Sequence, residues 1–200
     1  MRTAAANPPS KARLLDAAER LMLAKGFEAT TVDAICEAAK LTKGSFFHYF
    51  DSKERLGREL LERFCASGRR MHAGFCGAER DPLKRVYNYI DGAIRFSQDP
   101  VLGQGCLLGS FAQELCESHP AIREVCAQGF KDWAKEFGRE LARAKAQVAP
   151  RAPFKPRELA EYLIAILEGS LILGKAGRDR GVAARTLRHY KAYLQMLFGR

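Results

Sequence analysis

Apolar residues in this chain recur at helical spacing in segment after segment, and no stretch alternates apolar and polar positions as a strand would. The fold class expected is therefore all-α. Residues 30–53 carry the densest punctuation. Thr30 offers an N-cap with Asp33 three residues on, and Val32, Ile35, Cys36 and Ala39 form one apolar stripe. Lys40 and Leu41 break that pattern, and Thr42 offers a fresh cap. The second helix is short, because Asp51 and Ser52 cap a third one with Glu54 completing the box. Two short helices joined by a tight turn form a helix-turn-helix arrangement.

The remaining elements follow from the same signals. Ser10 is read as cap of a first helix burying Leu14, Ala18, Leu21 and Met22, with Gly26 just past its end. A long helix over 53–76 reads as a connector, and 74–81 as a loop. Further helices are expected over 82–96, 107–117, 120–148, 157–175 and 183–198, with a proline-rich loop at 149–156. The division expected is a helix-turn-helix domain over 1–52 and a second, helical domain over 53–200.

The second short helix has chemistry suited to DNA. Thr42, Lys43, Gly44 and Ser45 in its first turn are small or donor-bearing, and free N–H groups at a helix start attract phosphate oxygen. Phe46 and Phe50 can point inward while His48 and Tyr49 offer donors outward. Lys53 starts the following helix, where a cation opposes the helix dipole unless an anion accompanies it. Capping and spacing fit an α-hairpin with a solvated polar face equally well.

Composition narrows the classes without settling the partner. The 200 residues are 47% apolar and 28% charged, a globular balance, and the net charge is +10. Residues 1–58 hold 10 Lys/Arg against 7 Asp/Glu, so the charge is not concentrated on the presumed reading head. A basic cluster from Lys175 to Lys191 reads as a solvated helix face. The segment up to Pro9 lacks the apolar run of a signal peptide and is expected to be a mobile arm, with Arg2 near phosphate. The longest apolar run, residues 163–174, is too short for a bilayer and is broken by Glu168, so a cytoplasmic protein is expected. Six cysteines at 36, 65, 76, 106, 116 and 126 show no C-x-x-C pair, which speaks against a zinc site or a disulfide framework. His48, His72, His119 and His189 lie on separate elements and no nucleophile elbow is present. No enzyme and no cofactor is expected; a small all-α enzyme stays a distant alternative.

Leu41-Thr42-Lys43-Gly44-Ser45-Phe46-Phe47-His48-Tyr49-Phe50-Asp51-Ser52-Lys53-Glu54 resembles the signature of the tetracycline-repressor (TetR/AcrR) family of bacterial regulators. The likeness begins near Leu14 and is specific through Leu60. It implies a homodimer that binds a palindromic double-stranded DNA operator and is released by a small-molecule inducer, with 53–200 as the effector-binding and dimerisation domain. It also implies base contacts from the residues at Thr42 to Ser45 and phosphate contacts from those at Thr31, Phe47, Tyr49 and Lys53. The DNA-facing set is then Thr30, Thr31, Thr42, Lys43, Gly44, Ser45, Phe47, His48, Tyr49 and Lys53. The family often has tyrosine where this chain has Phe47, so a hydroxyl contact is absent there.

Dimerisation is expected on the last two helices. Tyr162, Leu163, Ile166, Leu167, Ser170, Leu171 and Leu173 surround most of one, and Leu187, Tyr190, Leu194 and Leu197 line the other. Packing inside one domain is the plain alternative. The inducer pocket is expected among Phe96, Cys106, Phe111, Phe130, Trp133, Phe137 and Glu168, although for any single aromatic the core is the simpler place.

Cys106 raises a second possibility. Gly103 to Gly109 makes a poor nucleotide loop, because Leu108 stands where a third glycine is needed. A thiol at a helix start is favoured as thiolate. Leu56-Gly57, Leu61-Glu62-Arg63, Gly105-Cys106-Leu107 and Lys175 are similar to the electrophile- and oxidant-sensing branch typified by the N-ethylmaleimide-reductase repressor. That resemblance implies a redox-reactive Cys106 with Lys175 as a cationic neighbour. Simple packing of the thiol is the alternative.

Overall fold

The computed structural model describes residues 9–99 and 105–199, and among them nine α-helices and no strand. They are α1 (Pro9–Lys25), α2 (Val32–Ala39), α3 (Lys43–Tyr49), α4 (Lys53–Cys76), α5 (Pro82–Gln98), α6 (Leu107–Leu115), α7 (Pro120–Val148), α8 (Pro156–Gly177) and α9 (Gly181–Leu197). The all-α reading holds. The expected contact of Arg2 and the loop residues Gly103 and Gln104 lie outside the described residues.

Two units form. The first takes in the chain up to Cys65 together with Leu107–Ala127, and the second takes in Ala66–Cys106 with the chain from Gln128 onward. The first unit therefore holds α6 and the start of α7 beside α1, α2 and α3. Leu14, Leu15, Ala18, Met22, Ile35, Phe46, Phe50, Leu56, Leu60 and Leu61 fill its core. Ser10, expected to precede α1 as its cap, sits inside the helix one residue after Pro9.

The first unit turns at Gly26, whose φ of +89° ends α1 in the left-handed region. A Cβ there would stand 2.9 Å from the Glu114 carboxylate. That carboxylate accepts the backbone N–H groups of Phe27 and Glu28, each at 2.8 Å. Phe27 meets the Phe111 ring edge-on, with centroids 5.5 Å apart. Gly57 gives both rings room, since a Cβ there would lie 3.0 Å from Phe27 and 3.3 Å from Phe111.

The second unit packs α5, α8 and α9 with the later part of α7 around Val86, Ile90, Phe137, Leu141, Leu163, Leu187 and Leu194. A polar cluster sits within it. Arg85 makes paired bonds to Glu140 at 2.7 and 2.8 Å, and His72 approaches the same carboxylate at 3.8 Å. Paired geometry of this kind gives the stronger sort of charged hydrogen bond. Leu187, Tyr190 and Leu194, expected on a dimer stripe, are buried in this core, as is Leu163. The large apolar side chains that α8 and α9 do leave outside are Tyr162, Ile172, Leu173, Tyr193 and Met196. No described helix is long and apolar enough to cross a membrane.

Candidate nucleic-acid interface and effector groove

The turn between α2 and α3 is built by local capping. Thr31, not Thr30, caps α2: its side chain accepts the Ala34 N–H at 3.1 Å. Two adjacent threonines have the same capping chemistry, and the preceding turn chooses between them. Thr30 is fully buried and donates its hydroxyl to the Gly26 carbonyl at 2.6 Å. That corrects the placing of Thr30 among DNA contacts, because its one donor is spent inside the unit. At the far end of α2, Lys40 adopts the left-handed conformation and its N–H returns to the Cys36 and Glu37 carbonyls. Arg13 of α1 donates to the Ala39 carbonyl and, at 3.3 Å, to that of Lys40, so the C-terminus of α2 is held from a second element.

Thr42 caps α3 as its sequence position predicts, accepting the Ser45 N–H at 3.2 Å. The first turn of α3 is presented outward: Thr42, Lys43 and Gly44 are exposed, and Ser45 is half-buried. Lys43 pairs with Asp33 at 2.8 Å, both side chains remaining largely in solvent. That exposed pair is worth little, so a phosphate can compete for the ammonium. Phe46 and Phe50 anchor the helix in the core, while Phe47 is 54% exposed and His48 is exposed beside it. Tyr49 is half-buried, and its ring contacts that of His48 at 4.7 Å. This is a short helix pinned by two buried rings with its N-terminal turn and one lateral face open, the geometry of a recognition helix.

Lys53 takes a different place from the expected one. Its ammonium donates to the Phe27 carbonyl at 3.0 Å and lies 4.2 Å from the Phe27 ring centroid. The carbonyl, the ring and Glu28 at 3.8 Å explain a lysine at the start of α4 without any nucleic acid.

The expected pocket residues do not assemble into one wall. Phe111 is wholly buried against Phe27 in the first unit, which removes it from the effector set. Phe137 is core, stacked on Tyr89 with centroids 4.6 Å apart. Trp133 is half-buried and donates its indole N–H to the Tyr89 hydroxyl at 2.6 Å, and Phe96 is half-buried on α5. What opens instead is a groove of about 290 Å³ between α7 and α8, lined by Phe130, Lys131, Ala134, Glu161, Ile164, Ala165 and Glu168. Of these, Glu168 and Phe130 were legible from the sequence. The others carried only a weak signal, two glutamates seven residues apart on one face of α8.

Glu168 is the electrostatic centre of that groove. Burial pushes its carboxyl above the ordinary glutamate range, opposed by a hydrogen bond from Cys106. Its Oε1 is buried with no hydrogen-bond partner. Cys106 sits just before α6, as expected, and is buried. The neighbour the structure gives this thiol is therefore an acid, while Lys175 is exposed near the end of α8. None of the six cysteines forms a disulfide, and burial pushes the thiols of Cys76 and Cys126 up to about 11 and about 12. No group of three or more metal-ligating side chains occurs among the described residues.

An outward-facing capped helix in a helix-turn-helix unit, in a chain that carries a second helical unit, is the layout of a helix-turn-helix transcriptional regulator. Residues 14–60 match the family described as bacterial regulatory proteins, tetR family, and residues 82–190 match the tetracyclin repressor-like C-terminal domain. The chain belongs to the tetR family. It is 30% identical over 176 residues to the HTH-type transcriptional repressor DhaR of Mycobacterium sp. (strain GP1), covering 88% of this chain and 87% of that one. It is 26% identical over 184 residues to the HTH-type transcriptional repressor NemR of Escherichia coli, covering 91% and 92%. The crystal structure of reduced E. coli NemR superposes with a TM-score of 0.80 at 23% identity, over 92% of this chain and 96% of that one. A regulator structure from Chloroflexus aurantiacus gives 0.82 at 21%, over 93% and 94%. Members of the family are DNA-binding regulators of transcription and not enzymes.

Proposed function

We propose that this protein is a cytoplasmic homodimeric repressor that reads a palindromic operator with α3 and leaves it when a small molecule binds the second unit. The observation that carries the reading is the first turn of α3, with Thr42, Lys43 and Gly44 exposed and Ser45 half-buried, held on a helix whose Phe46 and Phe50 are buried. Thr42, Lys43, Gly44 and Ser45 meet base edges or adjacent phosphates in this account. Thr31, Phe47, His48 and Tyr49 flank them. The dimer forms through the apolar residues that α8 and α9 leave outside, led by Leu173 at 65% exposure and Met196 at 77%. Side chains of this size left in water are a strong pointer to a partner surface. Two experiments test the reading. Ser45→Ala should change operator preference in a binding-site selection while leaving the fold intact. Leu173→Glu should convert a sedimenting dimer to a helical monomer. Retention of both properties in both variants contradicts the proposal.

A second reading places the switch at Cys106. Its bond to Glu168 means that adding an alkyl group or oxygen to the sulfur displaces the carboxyl that lines the groove. Cys106→Ser discriminates: if it stays on the operator under quinone or hypochlorite while the unaltered protein leaves, the thiol is the trigger.

A further inference from the structure

Building on the reading of the chain as an inducible regulator, we propose that the α7–α8 groove binds a small organic cation, an apolar or aromatic ammonium whose charge meets Glu168. Three observations converge on that class. The groove walls Phe130, Ala134, Ile164 and Ala165 are apolar and its volume, about 290 Å³, suits a compact ligand. Glu168 lines it, and the Oε1 of this residue is buried with no protein donor to satisfy it. A buried acceptor without a partner is uncommon and costly, and a ligand's positive charge set against it offsets that cost.

Charge decides between a cationic and a neutral ligand. The Cys106 thiol bonds Glu168, and the groove that Glu168 lines also takes in Phe130, Lys131 and Ala134 from α7 and Glu161, Ile164 and Ala165 from α8. Of the two carboxyls in this lining, Glu161 is already paired with Arg157 at 2.9 Å, which leaves Glu168 as the carboxyl a ligand's charge can meet. Phe130 lines the groove, and an aromatic ring attracts a quaternary ammonium placed over it. A cation in the groove favours the ionised form of Glu168, so occupancy is linked to loss of a proton from this carboxyl.

Trp133 is the one tryptophan of the chain, and its ring stacks on Phe130 with centroids 6.5 Å apart, which gives an intrinsic reporter. The test titrates benzyltrimethylammonium, and in parallel its neutral carbon isostere neopentylbenzene, into the full-length protein while following Trp133 fluorescence. The proposal expects saturable binding of the cation that tightens as pH rises. It expects Glu168→Gln, checked for folding by circular dichroism, to weaken the cation by about tenfold or more, because the carboxylate charge facing the ammonium is then gone and a quaternary nitrogen has no N–H to bond the amide instead. Neopentylbenzene should bind the unaltered protein more weakly than the cation does. Equal cation affinity in folded Glu168→Gln, or preference for the neutral isostere, overturns the proposal. If Glu168→Gln does not fold, the pH profile decides: the probe carries no titrating group, so a flat profile also overturns it. Operator binding measured on the same samples keeps the two ideas apart. A protein that holds its operator yet ignores the cation refutes the ligand class alone. One that binds the cation through Glu168 but no operator refutes the regulator reading alone.

Discussion

The Glu114 carboxylate on α6 accepts the backbone N–H groups of Phe27 and Glu28, two consecutive residues of the turn between α1 and α2, which lie more than eighty positions earlier in the chain. A carboxylate gripping two adjacent amides fixes the turn in position and orientation together. The same turn supplies the Phe27 carbonyl to Lys53 and the Gly26 carbonyl to buried Thr30. The reading head is thus held by α6 as well as by its own helices.

Glu114→Ala should therefore lower stability by about 1 kcal/mol, chiefly the cost of leaving the part-buried Phe27 amide unpaired, since the Glu28 amide is open to water. Operator affinity should fall with it, because the turn that carries α2 loosens. Chemical denaturation and fluorescence anisotropy on operator DNA give the two quantities.

Lys43 and Lys53 should behave differently when each is replaced by alanine. Lys43 is exposed and held by a pair that water screens, so Lys43→Ala should reduce the salt slope of DNA binding by about one per contact while barely changing stability. Lys53 serves the Phe27 carbonyl and ring, so Lys53→Ala should lower the melting temperature and leave the salt slope almost unchanged. The opposite pattern would return Lys53 to the phosphate list.

That contrast shows where sequence reasoning stopped. The Thr42 cap, the buried Phe46 and Phe50, the start of α4 and the full extent of α7 are set by neighbours within a few positions, and each was legible. Thr30 and Thr31 were not separable, since both can cap and only the Gly26 carbonyl distinguishes them. Phe111, Lys53 and Glu114 are placed by partners 26 to 87 residues away, and nothing local marks such pairings. On α9 the apolar positions were visible, but which stripe faces the core and which faces out depends on the packing of α5 and α8.

Acid should destabilise the second unit in two stages. Burial lowers the His72 imidazole below its ordinary 6.5, despite the opposing pull of Glu136 and Glu140. The neutral ring is the form the fold favours, so its contribution is complete above that value and is lost as pH falls towards the depressed one. Arg85, bonded to Glu140, holds that carboxyl below its ordinary 4.5, and this second contribution disappears at lower pH still. Urea midpoints measured against pH should decline from near neutrality, and His72→Gln should flatten the first stage alone.

Glu168 should show the reverse sign. Burial favours its neutral form, so the group supports the fold below its ordinary 4.5 and costs stability as pH rises through its raised value. Glu168→Gln should accordingly raise the melting temperature at neutral pH, with the gain vanishing in acid. A lowered melting temperature at neutral pH would mean that the ionised carboxylate is stabilised by its surroundings.

The central claim is that α3 reads DNA as one of a symmetric pair. Footprinting the purified protein on the DNA upstream of its own gene, with the stoichiometry of the complex measured on the protected fragment, tests it most directly. The account predicts a protected palindrome with half-site centres about one helical turn or a multiple of it apart, two chains per site, and loss of protection with Lys43→Ala and Ser45→Ala combined. Protection that lacks two-fold symmetry, or that the double variant retains in full, would contradict it.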